Sequence, residues 1–214
     1  YGGGGPREMC EDDMMARFGI NEVYGMHNWP GRPVGSFAIR PGRFFAATDQ
    51  FDISLEGHGG HAAKPHETVD TTVIAAQVVI NLQTISSRNA DPVDQIGVSG
   101  TSFQTSSNAY NVIPQKVHLK GTVRTMSADM RALAEQRLRK IADGLAQTYG
   151  GTVDIQYHRG YPVMSNSEEQ TAFAAEVARA VSGACEEAPL VMGGEDFAYM
   201  LEERPGAYIL VGNG

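Results

Sequence analysis

The sequence has few cysteines, few cationic side chains and no long apolar run. Its two cysteines, Cys10 and Cys185, stand far apart and fit no metal-ligand spacing, which predicts a reducing compartment such as the cytoplasm, with a single disulfide as the alternative. A formal net charge of -8 argues against unaided binding to nucleic acid or an anionic membrane, because both attract clustered Lys and Arg. No apolar run approaches the roughly 20 residues of a membrane-spanning helix. The remaining composition, 42% hydrophobic and 20% charged, is that of an ordinary globular protein.

Residues 51–157 carry a regular alternation of strand and helix patterns. "FDISLE" alternates apolar and polar side chains, which predicts a half-buried strand, and Val69 to Ser87 is apolar on most of its circumference, as in a buried helix. Two strands follow, "QIGVSGTSF" and "NVIPQKVHLKGTVRT", the second with a polar face that ends in Arg124. Ser127 then offers an N-cap for a second helix, and "GGTVDIQY" supplies a last strand. The order β-α-β-β-α-β is the split-βαβ arrangement of ferredoxin-like domains.

The flanking segments also alternate strands and helices, but too briefly for a self-sufficient α/β domain. Residues 1–46 hold a predicted helix, "REMCEDDMMARFG", and a strand in "EVYGMHNWPGRP". Residues 161–214 hold a predicted helix from Glu168 to Val181 and a short strand in "AYILVG". We therefore expect an α/β fold in which residues 47–160 form a ferredoxin-like domain inserted into a larger α/β domain. The two flanks would be pieces of that larger domain.

His27 lies in "YGMHNWP", at the end of a predicted strand. The carboxyl ends of strands in open α/β sheets are where ligand crevices form, and an imidazole there could bind a divalent metal such as Zn²⁺ or Mn²⁺. The alternative is a loop histidine that packs beside Trp29. No partner ligand lies nearby in the sequence, so the spacing leaves both interpretations open.

The stretch "GHGGHAAKPH" contains His58, His61 and His66. Their spacing fits neither an H-E-x-x-H motif nor a zinc finger. Small residues flank His61, so that a ligand could approach closely, and this makes it the best candidate of the three for a positioned side chain. For the other two, a solvated turn before the helix is the better explanation.

Three further residues could carry chemistry, each with an ordinary alternative. Arg124 could pair with a substrate carboxylate, although a plain surface arginine is commoner. Asn111, before "VIP", could donate its amide to a substrate oxygen or stabilise the entry into the strand. Glu195, in "GGEDF", suits a helix N-terminal cap or a group that holds other polar residues in place, and the sequence favours the cap.

Taken in order, the segments "YGGGGPREM", "GMHNWPGRPVG", "GHGGHAAKPH", "AYNVIP", "GTVRT" and "MGGEDFAYM" resemble the M20 metallopeptidase family. The resemblance is closest to its amidohydrolase branch of hippurate hydrolases, N-acyl-amino-acid deacylases and plant auxin–amino-acid conjugate hydrolases, and it runs over essentially the whole chain. It implies a catalytic α/β domain around a dinuclear metal centre, with Zn or Mn, and an inserted ferredoxin-like lid that is often used for dimerisation.

The resemblance also implies roles for individual residues. His27 matches the metal-ligand histidine of "G-x-H-x-W-P". His61 matches the lid histidine that hydrogen-bonds the scissile carbonyl and stabilises the oxyanion, in dimeric members within a neighbouring subunit's site. Asn111 and Arg124 match lid residues that hold the carboxylate end of the substrate. Glu195 lies in a motif close to the metal site and receives no firm role.

The sequence departs from the family pattern in its metal ligands. The family has a Cys-Gly-His-Asp-x-His segment and a Glu-Glu pair, which includes the general base, ahead of the glycine run, and a final histidine ligand after the matched region. We find none of these in the 214 residues and interpret the chain as an incomplete one that is inactive by itself. The complete protein is expected to hydrolyse the amide bond of hippurate-like N-acyl amino acids, as a homodimer or homo-oligomer assembled through the lid. The alternative is a non-catalytic ligand-binding or dimerisation module.

Overall fold

The structure, a computed structural model, describes residues 5–214, so most of the glycine run after Tyr1 lies outside the described residues. The chain divides into two compact units: unit 1 contains the described residues up to Ala47 together with Gly160–Gly214, and unit 2 is Thr48–Arg159. The helices are α1 (Gly5–Glu11), α2 (Met14–Arg17), α3 (Thr71–Thr84), α4 (Ala128–Tyr149), α5 (Glu168–Ser182) and α6 (Ala198–Glu203). The strands are β1 (Val23–Trp29), β2 (Phe37–Ile39), β3 (Gly42–Phe45), β4 (Ala47–Glu56), β5 (Gly60–His61), β6 (Ile96–Thr105), β7 (Val112–Ile113), β8 (Lys116–Thr125), β9 (Thr152–Arg159), β10 (Met164–Asn166), β11 (Glu186–Glu187) and β12 (Gly206–Gly212).

Unit 1 is built on a four-stranded sheet in the order β1-β12-β2-β11. β1 and β12 run parallel, in a register from Val23 opposite Gly206 to Trp29 opposite Gly212, and β2 pairs antiparallel with β12. β3 and β10 form a separate antiparallel pair. Aromatic side chains and Leu210 fill the main core of this unit. The parallel pair brings the carboxyl ends of β1 and β12 to one edge of the sheet, which is where His27 lies.

Several predicted elements of unit 1 are confirmed and one is wrong. The strand before "NWP" is β1, the helix predicted from Glu168 is α5, and "AYILVG" lies in β12. The single predicted helix of "REMCEDDMMARFG" is instead broken into α1 and α2, because Asp13 adopts a left-handed backbone conformation with φ 56°. Acidic residues with short side chains tolerate that conformation better than most, and the helix cannot continue through it.

Unit 2 contains an antiparallel arrangement of strands in the order β6-β8-β4-β9. β6 pairs antiparallel with β8, and β4 pairs antiparallel with β9. The apolar side chains of α3 and α4 and the inward faces of the strands form one buried core. Large members of this core are Phe51, Ile74 and Leu138. The opposite face of the sheet is polar, as the alternation of β8 predicts.

Apart from the short strands β5 and β7, the element order in unit 2 is β-α-β-β-α-β, with local differences from the prediction. The strand predicted across "NVIPQKVHLKGTVRT" is two strands, β7 and β8, separated at Pro114, which has no N–H to donate to a sheet. The buried helix begins at Thr71, capped by the Asp70 carboxylate, and its last part, Ile85–Asn89, is a π-helical turn.

The longest helix, α4, shows how the helices of unit 2 bury one side. Its buried residues Ala134, Leu138, Ala142 and Ala146 recur every four positions, and the Ser127 hydroxyl accepts a hydrogen bond from the Met130 N–H, as the N-cap prediction requires. Across residues 5–214 the structure contains no helix that is both long and apolar enough to cross a membrane.

Candidate functional site

His27 lies on β1, two residues before the strand ends, and its side chain is half-buried in unit 1. The imidazole meets the Trp29 ring edge-on, with centroids 5.7 Å apart, and the Tyr208 ring at 6.5 Å. The packing beside Trp29 that the sequence offered as the ordinary alternative is therefore present. It fixes the ring without using its nitrogen atoms.

The hydrogen bond of His27 defines which ring nitrogen is available. Nδ1 lies 2.6 Å from the main-chain oxygen of Asn28, and a carbonyl oxygen only accepts, so Nδ1 carries the hydrogen. In the neutral ring, Nε2 then presents a lone pair. A metal-ligating histidine has this arrangement, in which the second nitrogen donates to a carbonyl or carboxylate oxygen.

The rest of a metal site is not found around His27. Across residues 5–214, no group of three or more His, Cys, Asp or Glu side chains lies close enough together to hold a metal ion. Cys10 and Cys185 are free thiols, and partial burial raises the pKa of each, which disfavours the thiolate that binds metals. The described residues by themselves therefore do not fit a complete dinuclear centre.

Glu195 is half-buried in the loop before α6 and is linked to Tyr208. Burial raises the pKa of the Glu195 carboxyl, and the Tyr208 phenol donates a hydrogen bond to it, which partly opposes that rise. Burial and the same hydrogen bond raise the pKa of Tyr208, so its phenol stays protonated. Phe197 occupies the N-cap position of α6 with no side-chain cap of its own, but the Phe197 N–H donates to Glu195 Oε1 at 3.4 Å, so the Glu195 carboxylate does contact the start of this helix. Glu195 is also tied to Tyr208, on the strand that packs against His27.

Gly25 makes room for this arrangement, and neither it nor Tyr208 was singled out from the sequence. A Cβ atom at Gly25 would lie 2.5 Å from Cδ2 of Tyr208 and 3.2 Å from the Phe197 ring. Only glycine therefore allows the Tyr208 ring to lie against β1. The "GxH" spacing is visible in the sequence. Tyr208, which fills the space beside Gly25, lies 183 positions further along the chain.

His61 and Asn111 lie side by side in unit 2. His61 is in β5, opposite Val112 of β7, and the Ala62 N–H donates to the Asn111 main-chain oxygen at 2.9 Å. Of the small residues before His61, Gly59 has a structural role. A Cβ atom at Gly59 would lie 2.7 Å from the main-chain oxygen of Ile113, so the chain itself fills this space and the glycine allows the loop to close onto β7.

The ring of His61 has the opposite tautomer from that of His27. The Ala63 N–H donates to Nδ1 of His61 at 3.1 Å, so Nδ1 is an acceptor and the neutral ring carries its hydrogen on Nε2. The side chain is exposed, and its free end is a hydrogen-bond donor. His58 and His66 are exposed as well, His66 within a short 3-10 turn, Pro65–Glu67.

Arg124 is half-buried on the polar face of β8, and its Nε donates to the Thr122 hydroxyl at 3.2 Å. It lies near the end of the strand, whereas Asn111 lies before its beginning. At about 3.4 Å per residue, the eight steps from Lys116 to Arg124 span roughly 27 Å. The structure thus brings His61 and Asn111 together but places Arg124 at the other end of the sheet.

Comparison with known proteins gives the context for these residues. A family model described as peptidase family M20/M25/M40 matches residues 1–214. Similar curated proteins include an N-acetyldiaminopimelate deacetylase of Enterococcus faecalis, 36% identical over 206 residues, and thermostable carboxypeptidase 2 of Saccharolobus solfataricus, 32% identical over 210. The matches cover 95% and 98% of this chain but 54% and 52% of those proteins, so the chain spans about half the length of these relatives.

The fold is also similar to that of solved structures. The YXEP protein of Bacillus subtilis, described as a dinuclear metal binding peptidase from the M20 family, superposes with a TM-score of 0.78 at 28% sequence identity. The match covers 97% of this chain and 51% of that one. The mixed α/β fold of this chain is therefore similar to that of a solved structure whose sequence is 28% identical to it.

Proposed function

Since the chain belongs to peptidase family M20/M25/M40, we propose that the complete protein hydrolyses the amide bond of N-acyl amino acids with divalent metal ions. The first substrates to test are N-acetyl amino acids, because a relative at 36% identity is named as the deacetylase of one. Hippurate, which the sequence resemblance suggested, is the second choice. We also propose that the protein is cytoplasmic, because both cysteines within the described residues are free thiols.

The observation that carries this proposal is the orientation of His27. Its Nδ1–H is committed to the Asn28 carbonyl, which leaves Nε2 as a metal donor at the carboxyl end of a parallel strand pair. We propose Zn²⁺ or Mn²⁺ as the cofactor. We propose that further ligands come from outside the described residues, because these hold no group of three or more metal-binding side chains. Glu195, through Tyr208, would keep the His27 ring in place.

His61 is proposed to stabilise the negative charge that develops on the scissile carbonyl oxygen. Its exposed Nε2–H is a donor that needs no change of protonation to act, because the Ala63 N–H already fixes Nδ1 as the acceptor. A donor placed at a developing oxyanion typically contributes a few kcal/mol to the transition state. Asn111 lies beside it and would contact the same end of the substrate.

Unit 2 is proposed to be the inserted ferredoxin-like lid, with the two segments of unit 1 as parts of the catalytic domain. The strand order β6-β8-β4-β9, with α3 and α4 in one core with it, supports that assignment. β6 is at the edge of its sheet, and Phe103 of β6 and Ile80 of α3 expose 43% and 62% of their surface. Exposed apolar side chains beside a free strand edge favour pairing of two lids in a homodimer.

The separation of the lid residues supports the same dimer. Arg124 lies roughly 27 Å along β8 from Lys116, whereas His61 is on β5, which pairs with β7 ahead of that strand, and this span exceeds the length of an N-acyl amino acid. A substrate that touches both residues would have to be held by two copies of the chain. We therefore propose that each active site of the complete protein takes lid residues from both copies.

The function is tested by incubating the complete protein with an N-acetyl amino acid and measuring the free amino acid, with added Zn²⁺ or Mn²⁺ and after metal chelation. We expect release that depends on metal. The 214-residue chain, tested beside it, should show no turnover, because its described residues hold no group of three or more metal-binding side chains. Turnover by this chain, or metal-independent turnover by the complete protein, would contradict the proposal.

A further inference from the structure

Thr122 connects Arg124 to the main chain of a neighbouring strand. Arg124 Nε donates to the Thr122 hydroxyl oxygen at 3.2 Å, and the Thr122 hydroxyl donates to the Asp49 carbonyl oxygen at 2.8 Å. We infer that Thr122 is a positioning residue that holds the Arg124 guanidinium ready for a substrate carboxylate. The inference rests on the function proposed above.

The hydrogen bonds of Thr122 have one possible direction. A hydroxyl group has a single hydrogen, and the Asp49 carbonyl oxygen can only accept, so that hydrogen points to Asp49. The lone pairs of the Thr122 oxygen are then directed away from Asp49, and Arg124 Nε–H, which can only donate, meets one of them. The bond to Asp49 therefore fixes the Thr122 hydroxyl in the orientation that presents a lone pair to Arg124.

Asp49, which accepts the hydrogen bond of Thr122, is itself held in place by other residues. The Asp49 side chain is 1% exposed, accepts from Arg131 Nε at 3.0 Å and accepts from the Tyr157 hydroxyl at 2.8 Å. These bonds come from α4 and β9, so two neighbouring elements hold the Asp49 side chain on β4. The Thr122 hydroxyl therefore transmits a rigid position to the guanidinium rather than a mobile one.

The use of Nε determines how Arg124 can bind a ligand. Among the described residues, Arg124 donates its Nε–H to Thr122, and its two Nη groups remain for a ligand. A carboxylate would then bind end-on, to both Nη groups, rather than side-on through Nε. Gly97 lies opposite Arg124 on β6 and has no side chain to compete for this space. The ligand class is thus a free carboxylate, as in an N-acyl α-amino acid.

The test compares Thr122→Val, Thr122→Ser and Thr101→Val in the complete, metal-free protein. Calorimetry gives the affinity of each for hippurate and for hippuramide, which has a neutral amide in place of the carboxylate. Thr101 is the matched control, because its hydroxyl also faces a main-chain oxygen of the neighbouring strand, that of Lys120, but holds no arginine. Steady-state kinetics of the same variants with metal restored, on an N-acetyl amino acid, then separate KM from kcat.

We expect Thr122→Val to bind hippurate roughly five- to tenfold more weakly, the loss of about one hydrogen bond, and to raise KM by the same factor with kcat little changed. Binding of hippuramide should stay the same, Thr122→Ser should restore the affinity for hippurate, and Thr101→Val should behave as wild type. Equal losses for hippurate and hippuramide, unchanged binding by Thr122→Val, or no hippurate binding by the wild type would overturn the inference. Binding as expected without hydrolysis would contradict the proposed function alone.

Discussion

Arg131 pairs with Asp49 across 82 positions of the sequence, in one of the most buried ion pairs of unit 2. Its Nε lies 3.0 Å from both carboxylate oxygens of Asp49, and Tyr157 donates a further hydrogen bond to the same carboxylate. Burial, followed by the charge of Asp49, raises the pKa of Tyr157, so the phenol remains a donor across the accessible pH range. This pair joins the start of α4 to the sheet beside Arg124.

Removing Arg131 should destabilise the protein strongly. Arg131→Met leaves the Asp49 carboxylate buried without its cation, and such a loss typically costs about 3–5 kcal/mol of unfolding free energy. Arg7→Met is the matched control, because Arg7 pairs with Glu11 on an exposed helix surface, where solvent screens the pair and its loss should change stability little. Denaturant unfolding measures both. Similar losses in the two variants would show that the buried pair adds nothing special.

Gly25→Ala should disturb the packing around His27. The new Cβ would lie 2.5 Å from the Tyr208 ring, and overpacking of this kind costs about 1–3 kcal/mol. Gly144→Ala is the opposite control: no atom lies within 4 Å of its Cβ position in α4, so we expect about 0.5–1 kcal/mol of stabilisation. Unfolding free energies of the two variants should therefore change with opposite signs. A neutral Gly25→Ala would mean that Tyr208 moves without cost.

Glu195 should give the protein a stability that falls as the pH rises. Its folded pKa is raised above the ordinary value of 4.5 because burial disfavours the carboxylate, so folding favours the protonated form. The stabilising contribution is complete below pH 4.5 and is lost as the pH rises through the folded pKa. In metal-free protein, the wild type should therefore lose stability relative to Glu195→Gln as the pH rises above about 4.5. A constant difference between the two would contradict the role of burial.

His61→Ala should lower the turnover rate of the complete protein at least about a hundredfold, since a donor to the developing oxyanion is lost. His66→Ala is the control, because His66 is also exposed in the same loop but carries no proposed role. KM for an N-acetyl amino acid should change less than kcat, as expected for an interaction made in the transition state. An unchanged rate for His61→Ala would remove it from the mechanism.

The sequence predicted what depends on local patterns. Alternating side chains gave the strands of unit 2 in their right order, and Ser127 marked the start of α4. The long predicted strand failed at Pro114, and the N-terminal helix failed at Asp13, where single residues override a pattern of ten or more. The hydrophobic period of a segment does not predict where such a residue interrupts it. The backbone preference of each individual residue has to be considered as well.

The candidate site was less predictable, because its contacts join distant parts of the chain. The strand predicted in "AYILVG" contains Tyr208, and only the tertiary structure shows that this residue packs beside His27 and donates to Glu195. Thr122 lies two residues before Arg124 on the same strand, but its link to Asp49 depends on which strands are neighbours in the sheet. Motif spacing identifies candidate side chains, whereas their tautomers and supporting contacts follow from the tertiary structure.

The most direct test of the central claim is to measure bound metal and substrate turnover together, in wild type and His27→Ala of the complete protein. The account predicts that the wild type binds divalent metal and releases free amino acid from an N-acetyl amino acid. His27→Ala should bind less metal and turn over at least about a hundredfold more slowly, because a catalytic metal ion supplies several kcal/mol of transition-state stabilisation. Full turnover by His27→Ala, or by wild type stripped of metal, would contradict the account.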